Sequence, residues 1–221
     1  QFMLYYQPKI DIRTEQIIGY EALLRWLRPD NTMVPPLRFI PVAEDSGYIV
    51  ELGDWVLAQG CAQLAKWQQQ CKKQLTLSIN ISALQLDNQH FVPRLTQLLA
   101  FYHLQPCQLE LEITERVLLD DSGESRAVMT QLAQLGVLIS LDDFGSGYSG
   151  LSVLARFQFS ELKVDHTMIA LIDNARMRSA LELALESAQR YNTTFVAEGV
   201  ETWSQLDELL SLGITQGQGH L

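Results

Sequence analysis

The residues best suited to chemistry in this chain are polar side chains at the ends of apolar runs. Two adjacent aspartates, Asp142 and Asp143, directly follow the mostly apolar run Val137–Leu141. Like charges side by side at the end of a buried strand repel each other and lose hydration, so the pair is unfavourable unless a cation holds it. Other runs carry or precede further polar residues: Glu21, Asn80, Glu112, Glu115, Lys163, Asp165, Glu198, Glu201 and Gln218. The sequence therefore predicts that cations bind near these residues.

The residue types predict which cations bind. The candidate ligands are oxygen donors, and none of the four histidines has metal-ligand spacing at such an end, although His220 is near the last one. Oxygen sites suit magnesium or manganese rather than zinc. Neighbouring aspartates suit two cations with one carboxylate bridging both, and ions about 3.5–4 Å apart are the usual arrangement for in-line attack on a phosphodiester. Lys163 would then orient the attacking water or neutralise a phosphate oxygen.

Short apolar runs alternate with amphipathic stretches along the chain, which predicts strands followed by helices. The predicted strands are Met3–Asp11, Gln16–Trp26, Leu75–Ser82, Leu109–Thr114, Val137–Asp143, Glu161–Asp165, Thr194–Gly199 and Ile214–Gly219. The predicted helices are Asp54–Gln70, Phe91–Tyr102, Glu124–Leu135, one near Leu151, Ala175–Tyr191 and Ser204–Leu212.

This order favours an α/β fold with a (β/α)8 TIM-type barrel, in which all strand ends converge at one mouth. A doubly wound open sheet fits the same alternation. The last predicted strand has no helix after it, so we expect the barrel to be truncated there.

The composition limits the classes of function. The chain has 221 residues, of which 47% are hydrophobic, and this is enough for a single domain over residues 1–221. The net charge of −10 disfavours binding to long nucleic acids. No apolar run reaches the roughly 18 residues of a membrane span, so we expect no membrane insertion by this domain. Three scattered cysteines and no signal peptide are typical of a cytoplasmic domain, and we expect this domain to come from a longer protein.

Simpler interpretations stay open for single residues. Glu21 read alone is also consistent with a salt bridge at a strand end, and Glu115 and Glu201 with solvated loop charges. The tripeptide Asp143–Gly145 matches the magnesium-binding motif of protein kinases, but the chain lacks the glycine-rich and HRD segments that precede it there. The prediction of a site depends on the ordered set and not on any one member.

Eight short motifs occur in one order along the whole chain. They are YEALLRW (Tyr20–Trp26), PPLRFIPVAE (Pro35–Glu44), NIS (Asn80–Ser82), ELEITE (Glu110–Glu115), LDDFGSGYSGL (Leu141–Leu151), LKVD (Leu162–Asp165), VAEGVET (Val196–Thr202) and QGH (Gln218–His220). With these motifs the chain resembles the EAL domain, a bacterial phosphodiesterase domain that hydrolyses cyclic di-GMP. The family more often has tyrosine in place of His220. Its fold is a modified (β/α)8 barrel whose first strand runs antiparallel.

The resemblance implies a role for each matching residue. The metal ligands it implies are Glu21, Asn80, Glu112, Asp142 and Asp143, with Glu198 binding directly or through water. Lys163 and Gln218 match residues that hold the nucleophilic water, and Glu115 matches a glutamate that anchors the loop 143–150. Arg25 matches an arginine that contacts a ligand phosphate, and Gln7 a residue that touches guanine.

The resemblance also implies a function. The expected reaction is hydrolysis of cyclic di-GMP to linear pGpG by water, with two Mg²⁺ or Mn²⁺ ions per active site. The alternatives are an inactive EAL domain that binds cyclic di-GMP or a partner protein, and a two-metal barrel that acts on another cyclic dinucleotide or phosphodiester. A homodimer and fused sensor or GGDEF domains are further expectations.

Overall fold

A computed structural model describes residues 1–70, 74–118, 123–145 and 150–219. The strands are β1 (Phe2–Asp11), β2 (Gln16–Leu27), β3 (Met33–Val34), β4 (Thr76–Asn80), β5 (Leu109–Thr114), β6 (Leu138–Phe144), β7 (Glu161–Val164), β8 (Thr194–Val200) and β9 (Gln216–Gly219). The helices are α1 (Pro36–Asp45), α2 (Ile49–Gln70), α3 (Ala83–Leu86), α4 (Phe91–Phe101), α5 (Gly123–Leu135), α6 (Gly150–Arg156), α7 (His166–Ala170), α8 (Ala175–Arg190) and α9 (Trp203–Ser211). Short 3-10 turns cover Pro106–Gln108 and Glu115–Leu118.

The strands form one closed sheet. Their order is β1-β9-β8-β7-β6-β5-β4-β2-β3, and β1 also pairs with β2, so eight strands close a ring and β3 lies outside it. The pairs β2–β4, β6–β7, β7–β8 and β8–β9 are parallel, whereas β1 runs antiparallel to β9. The predicted barrel with an antiparallel first strand is confirmed, and the open doubly wound sheet is wrong.

Short elements account for most differences from the predicted order. Helix α2 begins at Ile49, five residues before the predicted start at Asp54, because Ile49 and Leu52 are buried against Phe39 of α1. Helices α3 and α7 and strand β3 were not predicted. A helix of four or five residues has too few turns for apolar periodicity to show.

The chain divides into two compact units, which are considered separately. The first comprises Gln1–Gln7, Gly19–Leu111 and Asp121–Val137. One cluster of buried residues in it joins Phe39 and Ala43 of α1 to Ile49 and Leu52 of α2. In α2, Leu57, Cys61 and Leu64 are fully buried, and burial raises the pKa of the Cys61 thiol to about 12, so the thiol stays protonated.

The second unit comprises Pro8–Ile18, Glu112–Asp120 and Leu138–Leu221. Its parallel strands β7 and β8 are buried, as expected for strands covered on both sheet faces, and Leu162, Val164 and Val196 are fully inaccessible. Leu209 of α9 is also fully buried. A division into two units leaves the single-domain interpretation a prediction. Within the described residues, no helix is long and apolar enough to cross a bilayer.

Candidate metal and catalytic centre

Lys163 lies at the centre of an acidic cluster in the second unit. Its ammonium is 2.8 Å from Glu112 Oε1, 2.8 Å from Glu198 Oε1 and 3.4 Å from Asp142 Oδ1. The lysine side chain is only 1% exposed. The three carboxylates come from β5, β6 and β8; β6 and β8 flank β7 in the sheet order, and β5 lies next to β6. The sequence prediction that these strand ends meet is confirmed for these four residues.

A bulge in β6 explains how two adjacent aspartates can face one site. Successive side chains of a regular strand point to opposite faces, so Asp142 and Asp143 would normally diverge. The register of β6 against β7 shifts between Leu141 and Phe144, and Asp143 has a left-handed backbone with φ of 56°. Such a conformation is uncommon for a residue with a side chain. The strand therefore adopts a costly local geometry where two carboxylates are needed together.

Asp142, Asp143 and Glu198 form a group that fits a metal ion. Each offers one carboxylate oxygen, and these oxygens all lie within 4.8 Å of one another. No histidine or cysteine of the described residues belongs to this group. Because all three donors are carboxylate oxygens, the residues fit Mg²⁺ or Mn²⁺ better than zinc. A single lysine cannot neutralise this group together with Glu112, so a divalent cation would relieve the remaining repulsion.

Asp143 has an unfavourable electrostatic environment for its charged form. Burial raises the pKa of its carboxyl, and repulsion from Asp142 and Asp165 raises it further, while Lys163 and His166 partly oppose the shift. A raised pKa means that the charged form of Asp143 lacks enough compensation in the metal-free protein. A cation beside the carboxylate would reverse this effect.

The end of β8 has a second irregularity next to Glu198. The register of β8 against β9 shifts between Glu198 and Val200, and Gly199 between them has a φ of 68°. Glu198 is the residue paired with Gln218 of β9, which is 5% exposed. The structure therefore places Glu198 and Gln218 on neighbouring strands, as the sequence predicts. His220 lies outside the described residues.

Glu21 and Asn80 form a pair in the first unit. They lie on β2 and β4, which are parallel neighbours, and Asn80 Nδ2 donates a 2.9 Å hydrogen bond to Glu21 Oε1. Glu21 is buried at 6% exposure. This hydrogen bond from a neutral amide helps to orient the carboxylate. The amide oxygen of Asn80 is an oxygen donor of the type that Mg²⁺ and Mn²⁺ take as ligands.

The predicted substrate-binding residues are also in the first unit. Arg25 donates from Nη1 to the carbonyl of Leu24 at 2.9 Å, and its guanidinium lies 5.7 Å from the ring centre of Tyr5. These contacts hold Arg25 without neutralising it, so its charge is available to an anion. Gln7 on β1 is half-buried. Their contacts with a ligand stay predictions.

Glu115 and Glu201 have different environments, although both stand three residues beyond a candidate ligand. Glu115 begins a 3-10 turn after β5 and is 6% exposed, so the interpretation as a solvated loop charge is wrong for it. Glu201 is exposed, which agrees with that interpretation. Residues 146–149 of the predicted partner loop of Glu115 lie outside the described residues, so the anchoring role stays a prediction.

Helix α7 is a part of this region that sequence reasoning missed. Asp165, noted in the sequence only as a polar strand end, caps the helix by accepting from the Thr167 amide at 2.9 Å, from its hydroxyl, and from His166 Nδ1 at 3.1 Å. Burial raises the pKa of Asp165, but these hydrogen bonds outweigh it and hold the pKa below its usual value. An aspartate two residues before a threonine was the available signal.

Comparisons with known proteins agree with these motifs. The EAL domain family model matches residues 1–221. The chain belongs to the EAL domain family. It is 39% identical over 222 residues to the bifunctional diguanylate cyclase/cyclic di-GMP phosphodiesterase MucR of Pseudomonas aeruginosa, covering 100% of this chain and 32% of that protein. It is also 39% identical over 222 residues to the cyclic di-GMP phosphodiesterase PdeR of Escherichia coli, covering 100% of this chain and 33% of that protein.

A solved structure supports the same assignment. The structure described as PaMucR phosphodiesterase in complex with c-di-GMP superposes with a TM-score of 0.92 at 37% identity, covering 99% of this chain and 89% of that chain. The EAL chain spans about a third of the length of the two curated relatives. The fold and the family are therefore shown, and activity is considered below.

Proposed function

We propose that this EAL domain hydrolyses cyclic di-GMP to linear pGpG with the help of two Mg²⁺ or Mn²⁺ ions. The supporting observation is the group formed by Asp142, Asp143 and Glu198 around the buried ammonium of Lys163. Relatives that share 39% identity over the whole chain are named cyclic di-GMP phosphodiesterases, which supports the choice of substrate. An acidic centre with a single buried lysine suits a phosphodiester only if cations accompany it.

The residues that would hold the cations follow from the family resemblance and from the donor types. They are Glu21, Asn80, Glu112, Asp142 and Asp143, with Glu198 acting directly or through water. When bound, divalent cations polarise the phosphate oxygens and make water a stronger nucleophile at neutral pH. The pair Glu21 and Asn80 in the first unit and the cluster around Lys163 in the second unit would both serve this function.

The chain's own residues orient the reactants. Ion pairs with Glu112 and Glu198 hold the Lys163 side chain in one conformation. Its ammonium can therefore donate a hydrogen bond to the attacking water without a further loss of side-chain entropy. Gln218 supplies a second polar contact to this water. The water oxygen forms a bond to phosphorus while the bond from phosphorus to the ribose O3′ breaks, and the proton that the water loses ends on O3′. The product is a linear dinucleotide with a 5′-phosphate.

Substrate binding depends on local charges. Cyclic di-GMP is a dianion and the chain carries a net charge of −10, so the long-range field opposes association. Arg25 offers a cation to a ligand phosphate, and Gln7 offers hydrogen bonds to a guanine edge. We therefore expect metal-free protein to bind the dinucleotide more weakly than metal-loaded protein.

Product analysis by chromatography tests the proposed function. Purified protein is incubated with cyclic di-GMP, cyclic di-AMP and a mixed cyclic dinucleotide, each with Mg²⁺, with Mn²⁺ or with EDTA. Metal-dependent formation of pGpG from cyclic di-GMP alone supports the proposal. Calorimetric binding of cyclic di-GMP without turnover would favour the receptor alternative, and faster cleavage of another dinucleotide would reassign the substrate. A homodimer, fused sensor or GGDEF domains and a cytoplasmic location stay predictions.

A further inference from the structure

Helix α7 contacts the backbone next to two of the three grouped carboxylates. Gly145 follows Asp143 by two residues, and Gly199 directly follows Glu198. A β-carbon placed on Gly145 would collide with the sulfur of Met168, and one placed on Gly199 would lie 2.6 Å from the β-carbon of His166. Both Met168 and His166 belong to α7. One short helix therefore lies against the ends of both β6 and β8.

The contact with Met168 bears on the conformation of the β6 end. Gly145 has a φ of 94° and Asp143 a φ of 56°, so two left-handed residues lie close together there. Such backbone is unfavourable unless the surroundings hold it in place. Met168 is 8% exposed and occupies the space in front of Gly145, where a side chain would otherwise stand. Its sulfur is the atom nearest to the position that a β-carbon of Gly145 would take.

The contact with His166 acts in the same way on β8. Gly199 stands in the bulge between Glu198 and Val200 and has a φ of 68°. The backbone and β-carbon of His166 pack against it, whereas the His166 side chain is 70% exposed. The main chain of α7 therefore sets how closely this part of β8 can approach.

Several contacts hold α7 itself in position. The backbone amide of Asp165 donates a 3.2 Å hydrogen bond to the carbonyl of Phe144, the residue after Asp143. The Asp165 side chain caps the helix through Thr167, and Ile169 is fully buried. A helix fixed at its start and along its inner face can act as a rigid support.

We propose that α7 is a spacer that sets the separation of Asp143 and Glu198, and that Met168 is its positioning residue. The role in metal binding rests on the proposed function, since it concerns the carboxylates assigned to the cations. Met168 is not one of the proposed ligands. It acts by holding the turn after Asp143, because small displacements of a ligand weaken metal binding and misplace reactants.

Direct measurement of Mn²⁺ binding by electron paramagnetic resonance tests the spacer role without relying on activity. Met168→Ala empties the space in front of Gly145, so we expect Mn²⁺ affinity to fall roughly tenfold, as for other residues that support metal ligands. Met168→Leu refills the space and should restore affinity to within about twofold of wild type. At saturating Mn²⁺, most of the lost kcat of Met168→Ala should return.

Met129→Ala is the matched control. Met129 is 4% exposed in α5 and belongs to the first unit, so its truncation costs comparable packing elsewhere. We expect it to lower the melting temperature and to leave Mn²⁺ affinity unchanged. If Met168→Ala fails to fold, Met168→Val removes the sulfur and its methyl group but keeps more side-chain volume than alanine, and it carries the same expectation with a smaller loss.

The outcomes separate this inference from the proposed function. Wild-type Mn²⁺ affinity in folded Met168→Ala or Met168→Val overturns the spacer role, and so does an equal loss in Met129→Ala. Wild-type protein that binds no Mn²⁺ overturns the proposed function and the spacer role together. Weaker binding in Met168→Ala, restored in Met168→Leu and absent in Met129→Ala, supports both.

Discussion

The ammonium of Lys163 lies 2.8 Å from a carboxylate oxygen of Glu112, and neither side chain is more than 1% exposed. Taking two charges out of water is costly, and their attraction repays it only with good geometry. Here the lysine also contacts Asp142 and Glu198, so it compensates several acidic groups at once. The ammonium therefore stabilises the fold by reducing repulsion among these carboxylates, besides its proposed part in the reaction.

Lys163→Gln should abolish turnover and make the protein depend on metal for stability. The variant loses the cation that separates three carboxylates, and breaking a buried pair costs about 3–5 kcal/mol. A bound cation then relieves more repulsion than in wild type. We expect the rise in melting temperature on adding Mg²⁺ to be larger in Lys163→Gln than in wild type, measured by calorimetry.

Lys9→Gln is the matched control for this variant. Lys9 is equally buried, at 1% exposure, and its ammonium lies 2.6 Å from Glu161 Oε2. We expect it to destabilise the protein without changing the Mg²⁺-dependent rise in melting temperature. An identical rise in wild type, Lys163→Gln and Lys9→Gln would contradict the electrostatic role of Lys163.

Glu21→Gln should reduce turnover by at least about 100-fold while the protein stays folded. The substitution keeps an acceptor for Asn80 Nδ2 and removes only the charge, so the loss would reflect metal binding rather than packing. Glu110→Gln is the control, because Glu110 is fully buried and accepts a 2.6 Å hydrogen bond from Ser78 in the same unit. Steady-state kinetics over a Mg²⁺ titration measure both. Unchanged turnover in Glu21→Gln would exclude Glu21 as a ligand.

Calcium should bind and inhibit. The candidate ligands are hard oxygen donors, which Ca²⁺ accepts, but Ca²⁺ takes more ligands at longer distances and tolerates irregular geometry. We expect it to compete with Mg²⁺ without holding water and phosphate in line, so that turnover falls as Ca²⁺ is added and recovers with excess Mg²⁺. Full turnover in Ca²⁺ alone would show that the donors impose no such geometry.

The strand ends of the site were predictable because each follows an apolar run of detectable length. Lys163, Glu112, Asp142 and Glu198 occupy successive strands of a barrel, and barrel closure brings such ends together whatever the detailed packing. Their identities and order in the sequence were therefore enough to predict their approach.

The local backbone geometry at these strand ends and the short helix α7 were not predictable in the same way. Asp143 has a left-handed backbone that the sequence does not predict, because aspartate adopts that region more often than most residues but still only in a minority of cases. Helix α7 is too short for periodicity to show, and its contacts with Gly145 and Gly199 join residues far apart in the chain. Tertiary packing fixes these features.

Asp165→Asn should change how stability depends on pH. Because the pKa of Asp165 is lowered in the folded protein, its charged form contributes stability above the unfolded pKa, and this contribution is lost as pH falls through the folded pKa. Asparagine is also a good helix cap, so the variant isolates the charge. We expect wild type to exceed Asp165→Asn in free energy of unfolding at pH 7 and the difference to shrink below about pH 4. Urea unfolding across this range would measure it, and a constant difference would contradict the shift.

Glu115→Ala should lower turnover although Glu115 is not a proposed ligand. Glu115 lies at the start of the turn after β5 and is only 6% exposed, so it is buried, unlike a solvated loop charge. The family resemblance assigns it to anchoring the loop 143–150, which begins at Asp143. Loss of that anchor would loosen a metal ligand by the small distances that matter in catalysis. Hydrogen exchange of the peptide covering this loop, beside kcat and Mn²⁺ affinity, measures the effect.

Glu201→Ala is the control for Glu115→Ala, because Glu201 also stands three residues beyond a candidate ligand but is exposed. We expect it to match wild type in turnover, Mn²⁺ affinity and hydrogen exchange, whereas Glu115→Ala should lose turnover and gain exchange in the loop. Equal behaviour of the two variants would exclude the anchor. A fall in kcat of Glu115→Ala with unchanged exchange would mean that Glu115 acts on the site directly, since a carboxylate that only tethers a loop cannot be removed without releasing the loop.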